Sequence, residues 1–185
     1  MFKSKKSLIA LALTVATAGS FGQVYVQGAF GPGNINVDWS GLGATSTKNS
    51  NTGNKFIAGY SLGNGWSVES NVINYGRATG SNATATGEYK ASGYGIGGAY
   101  TNETDKWLFR AGLALNRNKM DVSATGTWVA TTPSTTSNQA NFDFGAGYKI
   151  NDKFALMAGY DVSKGKAGTS TGSLSLWSFG IRAKF

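Results

Sequence analysis

The chain has 185 residues, 27 of them glycine and only 2 proline, with aromatics at 12% and a formal charge of +8. It contains no cysteine and no histidine, which excludes disulfides, thiolate and histidine metal sites, and histidine acid–base catalysis. Its positive charge is scattered rather than gathered in a basic block with interleaved aromatics, which argues against nucleic acid as a partner.

The first residues carry Lys3, Lys5 and Lys6 and no acid, and an apolar stretch from Leu8 to about Ala18 follows, broken only by threonines. That run is far shorter than the roughly 20 residues a membrane helix needs. Ala16-Thr17-Ala18 then offers the small-x-small pattern of a signal peptidase site. Residues 1–22 are therefore expected to be a secretory signal peptide, cut after Ala18 or near Gly22, with 23–185 forming one domain. Losing three lysines would lower the positive excess to about +5. No long apolar run follows residue 20, so a mature chain that enters a membrane must do so as a closed barrel. Helices are disfavoured throughout, because glycine costs about 1 kcal/mol against alanine inside one and here recurs every few residues.

Period-two alternation predicts eight strands. Val24 to Phe30 alternates Val24, Val26, Gly28 and Phe30 against Tyr25, Gln27 and Ala29; Phe56 to Leu62 puts Phe56, Ala58, Tyr60 and Leu62 on one face. Trp66 to Tyr75 sets Trp66, Val68, Ser70 and Val72 against Ser67, Glu69 and Asn71, and loses its parity near Ile73 and Tyr75, where a bulge would re-aim the side chains. Tyr89 to Tyr100 is glycine-rich; Trp107 to Asn116, Phe142 to Ile150 and Phe154 to Val162 alternate cleanly. The last strand places Trp177, Phe179, Ile181, Ala183 and Phe185 opposite Ser178, Gly180, Arg182 and Lys184. Gly63-Asn64-Gly65, Thr101 to Lys106 and Asn151-Asp152-Lys153 read as short turns. The polar stretches Gly31 to Asn54, Arg77 to Glu88, Lys119 to Asn138 and Lys164 to Gly172 read as long loops. Short and long connections alternate, as in an all-β, eight-stranded antiparallel up-and-down transmembrane barrel with both termini on the short-turn side.

A soluble barrel of the lipocalin type would also alternate. Three features favour the membrane. The polar face mixes a few charges with many small residues, as a narrow lumen requires. Trp66, Tyr100, Trp107, Tyr148, Phe154 and Phe185 gather beside the short turns, where an aromatic girdle would meet the headgroups. The chain stops at Phe185 inside an alternating strand.

These residues carry a resemblance. The stretch Trp66-Ser67-Val68-Glu69 through Tyr75-Gly76-Arg77-Ala78-Thr79, then Lys90-Ala91-Ser92-Gly93-Tyr94-Gly95, the Trp107 to Leu115 strand and the closing Leu176 to Phe185 strand resemble the OmpA-type outer-membrane barrels and their small stand-alone relatives. The resemblance implies a bacterial outer-membrane location among lipid and lipopolysaccharide. It also implies that Trp177, Phe179, Ile181, Ala183 and Phe185 act as a signal for the barrel-assembly machinery. The peptidoglycan-binding domain of OmpA has no counterpart here, so cell-wall tethering does not carry over.

Among candidate sites, Glu69, Arg110, Asp143, Lys149, Asp161, Arg182 and Lys184 form the expected lumen charge network. Glu69, Arg110 and Arg182 each lie three residues from a strand end, so a Glu69–Arg110 or Glu69–Arg182 pair is expected, since unpaired buried ions cost several kcal/mol each. Such pairs fill the barrel, or rearrange to pass ions. Asp143 and Asp161 fall at similar heights on adjacent strands, but a glycosidase-like pair would need a cleft and further partners; contact with Lys149, another lumen group or water is expected instead. Gly93, Gly95 and Gly97 lack the following helix of a dinucleotide loop. Trp39 and Trp128, in polar stretches, mark a contact surface or pack on the barrel rim. The reading is thus a non-enzymatic barrel without a cofactor, monomeric, with a structural and surface-interaction role through its outer loops and a loop ligand as partner. The alternative is a small gated ion or solute channel.

Overall fold

A computed structural model describes residues 23–40, 43–128, 134–167 and 170–185; the expected signal segment lies outside the described residues. Nine strands are present among them: β1 (Val24–Asn36), β2 (Ser46–Lys48), β3 (Ser50–Gly63), β4 (Trp66–Ser81), β5 (Ala85–Glu103), β6 (Trp107–Gly126), β7 (Ser134–Lys149), β8 (Phe154–Ala167) and β9 (Ser170–Lys184). Neighbours pair antiparallel in the order β1-β3-β4-β5-β6-β7-β8-β9, and β9 returns to β1 through pairs such as Gln27↔Arg182, closing the wall with eight positions. The ninth strand shares a wall position: β2 takes over from β3 and pairs with the outer end of β4, Ser46↔Ser81 to Lys48↔Thr79.

Three tight connections define one end. Asn64 and Gly65 both have positive φ, 51° and 83°, the conformation of a two-residue hairpin turn whose twist matches its strands. At the other end the expected long loops are mostly strand. β4 runs on to Ser81 and β5 begins at Ala85; β6 reaches Gly126, β7 starts at Ser134, and β8 continues to Ala167. The polar stretches were legible as polar but not as loops, because strands that leave the lipid-facing zone no longer need apolar residues on the outside.

That change of solvent is visible along single strands. Beside the tight turns, the outward face is apolar: Trp107, Phe109, Leu113 and Leu115 of β6, Phe142 and Phe144 of β7, and Trp177, Phe179 and Ile181 of β9 all stand exposed. The run on β6, Trp107 to Leu115, covers about nine residues, what a tilted strand needs to cross a bilayer. Further along β6 the same outward parity carries Arg117 and Lys119, while inward Met120 is buried. On β4 the register shifts between Asn74 and Gly76. Gly76 has φ +84°, and a Cβ there would stand 3.0 Å from the Thr52 carbonyl oxygen. This bulge keeps Tyr75 inward and, one residue later than strict alternation would, returns Ala78 inward. In this outer half Ile35, Ile73, Tyr75, Ala78, Ala91, Met120, Leu174, Leu176 and Trp39 form an apolar core inside the barrel.

Candidate functional site: a filled and capped lumen

Alternation on eight strands sends one side chain in two into the barrel, and those side chains stack in layers. At the tight-turn mouth, Glu103 receives Lys184 and lies 3.8 Å from Lys149, which also donates to the Thr104 carbonyl at 3.0 Å. Lys149 and Lys184, expected in the lumen charge network, therefore sit at its rim, one-fifth exposed. Glu103 was missed because it falls at the start of a turn.

The next layer centres on Arg110, buried at 4% exposure. Its guanidinium is forked between two carboxylates, pairing with both oxygens of Glu69 (Nη2–Oε2 2.7 Å) and reaching Asp143 at 2.8 Å. Glu69 also accepts from the Tyr25 hydroxyl and from Ser67 Oγ at 3.3 Å. Gly112 is the residue that allows this approach, since a Cβ there would lie 3.0 Å from Arg110 Nη2. Arg182 is brought to the same region but makes no ion pair: it donates to Gln27 Oε1 at 3.1 and 3.2 Å and lies over the Tyr25 ring, 4.5 Å from its centroid.

Asp143 and Asp161 are direct register partners, yet each has its own cation. Asp143 meets Arg110, and Asp161 meets Lys55 at 2.6 Å, both ends buried. Neither touches Lys149. Lys55 went unrecognised because the strand was begun at Phe56; one more step of the same parity, Lys55-Ile57-Gly59, would have put it in the lumen. The lumen thus holds three cations, Lys55, Arg110 and Arg182, against three carboxylates, Glu69, Asp143 and Asp161. With both carboxylates of the aspartate pair held by cations, neither is placed as an acid catalyst.

Beyond the charges come amides. Asn71 and Asn116 exchange hydrogen bonds at 3.2 and 2.9 Å, and Tyr75 donates to Asn141 Oδ1 at 2.9 Å. Beyond these lies the apolar core, closed by Trp39. Its indole is 4% exposed, stacks on Trp128 at 6.4 Å, meets Tyr89 edge-on at 5.2 Å and donates to Asn49 Oδ1 at 2.9 Å. Trp39 is consequently a lid on the barrel and not an exposed contact residue. Outside, the six expected girdle residues all face outward; Trp66 packs edge-on with Tyr100 and Trp107 with Tyr148, at 5.2 and 5.3 Å.

A closed antiparallel barrel, apolar outside over one strand-crossing height and polar within, is the form of an outer-membrane barrel. The chain belongs to the outer membrane protein beta-barrel domain family, whose model matches residues 7–185. It is a bacterial outer-membrane protein; barrels of this kind turn their short connections to the periplasm and their long ends outward. A search of the curated proteins finds no match. Among solved structures it resembles Ail, the attachment invasion locus protein of Yersinia pestis, in complex with the heparin analogue sucrose octasulfate (14% identity, 90% of this chain and 100% of that one, TM-score 0.60). It also resembles Neisserial surface protein A (22%, 90% and 98%, 0.56) and the N-terminal barrel of Pseudomonas aeruginosa OprF (12%, 88% and 97%, 0.55). These likenesses show the shared fold.

Proposed function

We propose that this protein is a non-enzymatic, non-conducting barrel whose work is done by its outer surface. The observation that carries this is the succession of side-chain layers in the lumen, from the Glu103 rim through the Arg110 and Lys55 ion pairs and the amide layer to the apolar core under Trp39. Ion pairs, amides and apolar side chains thus stand one after another across the path an ion would take. The outward extension of the strands instead presents a large polar surface with more cations than acids. A polyanion is the class of surface ligand that charge favours, and the sulfated sugar bound to the Yersinia barrel belongs to that class. The row Trp177, Phe179, Ile181, Ala183 and Phe185 is proposed as the segment read by the assembly machinery, and 1–22 as the signal removed on export.

The test is single-channel recording of the refolded protein in planar bilayers, after a heat-sensitive gel shift has established folding. A folded, silent barrel is expected. Discrete openings that change when Glu69 or Arg110 is replaced would overturn the plug and install the gated channel in its place.

A further inference from the structure

The wall is not laddered to its full height at one place. The β7–β8 register ends at Phe142↔Val162, although β7 continues outward to Ser134 and β8 to Ala167. On either side pairing persists, β6–β7 to Asp121↔Ser134 and β8–β9 to Ala167↔Ser170. Side chains bridge the base of this seam. Ser163 Oγ donates to the Ala140 carbonyl at 2.7 Å, and Asn118 Nδ2 donates to Ser163 Oγ at 2.9 Å and to the Lys164 carbonyl at 2.7 Å. Asn118 Oδ1 and Ser137 Oγ, cross-strand partners beside the seam, stay buried without a hydrogen bond.

Charge converges on the same place. Of the outward cations beyond the apolar band, Arg77 and Lys90 share Glu88 at 3.3 and 2.8 Å, and Lys119 holds Asp121 at 2.7 Å. Arg117, Lys164 and Lys166 are exposed, and among the described residues no carboxylate forms an ion pair with them. Asn138 of β7 pairs with Arg117 of β6. Carrying the β7–β8 register outward across the seam sets Lys166 opposite Asn138 and Lys164 opposite Ala140. Arg117 and Lys166 thus flank the seam at one level, with Lys164 a row nearer the membrane.

We propose that this seam binds the phosphorylated headgroup of an outer-leaflet lipid, its phosphate held between Lys164, Lys166 and Arg117. Height selects a lipid over a soluble anion, because the seam opens on the last apolar row, Phe142 and Val162, where headgroups lie. Lysine serves phosphate as a mobile point charge and arginine as a fork. The inference rests on the outer-membrane placement and is independent of the silent lumen.

The full chain, refolded into phosphatidylcholine nanodiscs carrying diphosphoryl lipid A, monophosphoryl lipid A or neither, is compared with Lys164→Ser/Lys166→Ser and with Lys48→Ser, an exposed cation on the opposite wall. Lipid retention is read by native mass spectrometry. The wild type should retain diphosphoryl lipid A, the double variant about 25-fold less, at about fivefold per lysine, and Lys48→Ser as much as wild type. Equal retention by the double variant overturns the site, and equal loss in Lys48→Ser replaces it with diffuse attraction. Lysine-dependent binding of sucrose octasulfate without lipid A binding would assign the seam to a soluble polyanion and overturn the lipid. A chain that shows no heat-sensitive gel shift in nanodiscs would instead sink the membrane placement itself.

Discussion

Replacing Arg110 with alanine removes one cation from between two buried carboxylates. Glu69 and Asp143 are 7% and 6% exposed, and Arg110 supplies the hydrogen bonds that compensate both. Breaking a buried pair by deleting one partner costs about 3–5 kcal/mol, because the remaining charge keeps its desolvation penalty without its partner. Here two carboxylates are left, so the upper end of that range is expected unless one takes a proton. Equilibrium unfolding in urea, followed in lipid vesicles by tryptophan emission, measures the loss directly; Trp66, Trp107 and Trp177 face outward and report on the leaving of lipid. The companion variant Arg110→Met/Glu69→Gln/Asp143→Asn removes charge from all three members. It should recover most of the loss, since apolar or neutral replacements of a buried ion cluster are often neutral or stabilising. A loss below about 1 kcal/mol for Arg110→Ala, the scale of an exposed pair, would refute the idea that the lumen is dry enough for pairing to matter.

Lys55→Met strands Asp161 in the same way and should cost about 3–5 kcal/mol in the same unfolding assay, with Lys55→Met/Asp161→Asn relieving it. Trp39→Ala removes the lid, with an expected loss of about 3–5 kcal/mol and faster amide hydrogen exchange in the outer ends of β4 and β5 than near the tight turns. Gly76→Ala forces a left-handed backbone on a side chain already close to the Thr52 carbonyl and should cost about 1–3 kcal/mol, whereas Gly28→Ala, in open space, should be far milder. The Lys90 ammonium, with Arg77 adding to it, holds the Glu88 carboxyl below the usual carboxylate range. Its contribution is therefore present above the ordinary carboxylate value and is lost as pH falls through its own lower one, leaving Arg77 directly opposite Lys90. Hydrogen exchange in residues 77–90 should quicken on that acid side, and Glu88→Gln should abolish the pH dependence.

The strand faces near the membrane were legible because lipid permits only one kind of outward residue, so Trp107-Phe109-Leu113-Leu115 against Leu108-Arg110-Asn116 could be read by parity alone. The same rule failed outside the membrane. From Lys119 to Asp121, outward lysine and aspartate flank inward Met120, which is the pattern of a soluble barrel, and the switch between the two carries no marker in sequence except Gly76 on one strand. Glu69 and Arg110 could be singled out as lumen charges, but pairing could not be settled between Arg110 and Arg182, since the choice depends on barrel stagger. The structure gives Glu69 to Arg110 and leaves Arg182 to Gln27 and the Tyr25 ring. Trp39 was ambiguous for a different reason: its neighbours are Tyr89 of β5 and Trp128, just past the end of β6, and nothing local announces the contact.

The two halves of the barrel depend on each other through water. The membrane half hides its charges inside and can keep them there only if each is compensated: Arg110 serves Glu69 and Asp143, Lys55 serves Asp161, and Arg182 has Gln27 and the Tyr25 ring. The outer half hides apolar residues inside and ends in the Trp39 lid, which closes the outward route by which water would otherwise reach those ions. Sealing lowers the local dielectric and so strengthens each matched pair while raising the cost of any unmatched one. The lid and the ion pairs should therefore be coupled energetically although they do not touch. In a double-mutant cycle, Arg110→Ala should cost less in a Trp39→Ala background than in the intact protein, because water admitted from outside would solvate Glu69 and Asp143 once their partner is gone. Strict additivity would mean that the amide layer of Asn71, Asn116 and Asn141 alone keeps the charge layer dry, and that the lid serves only the surface it carries.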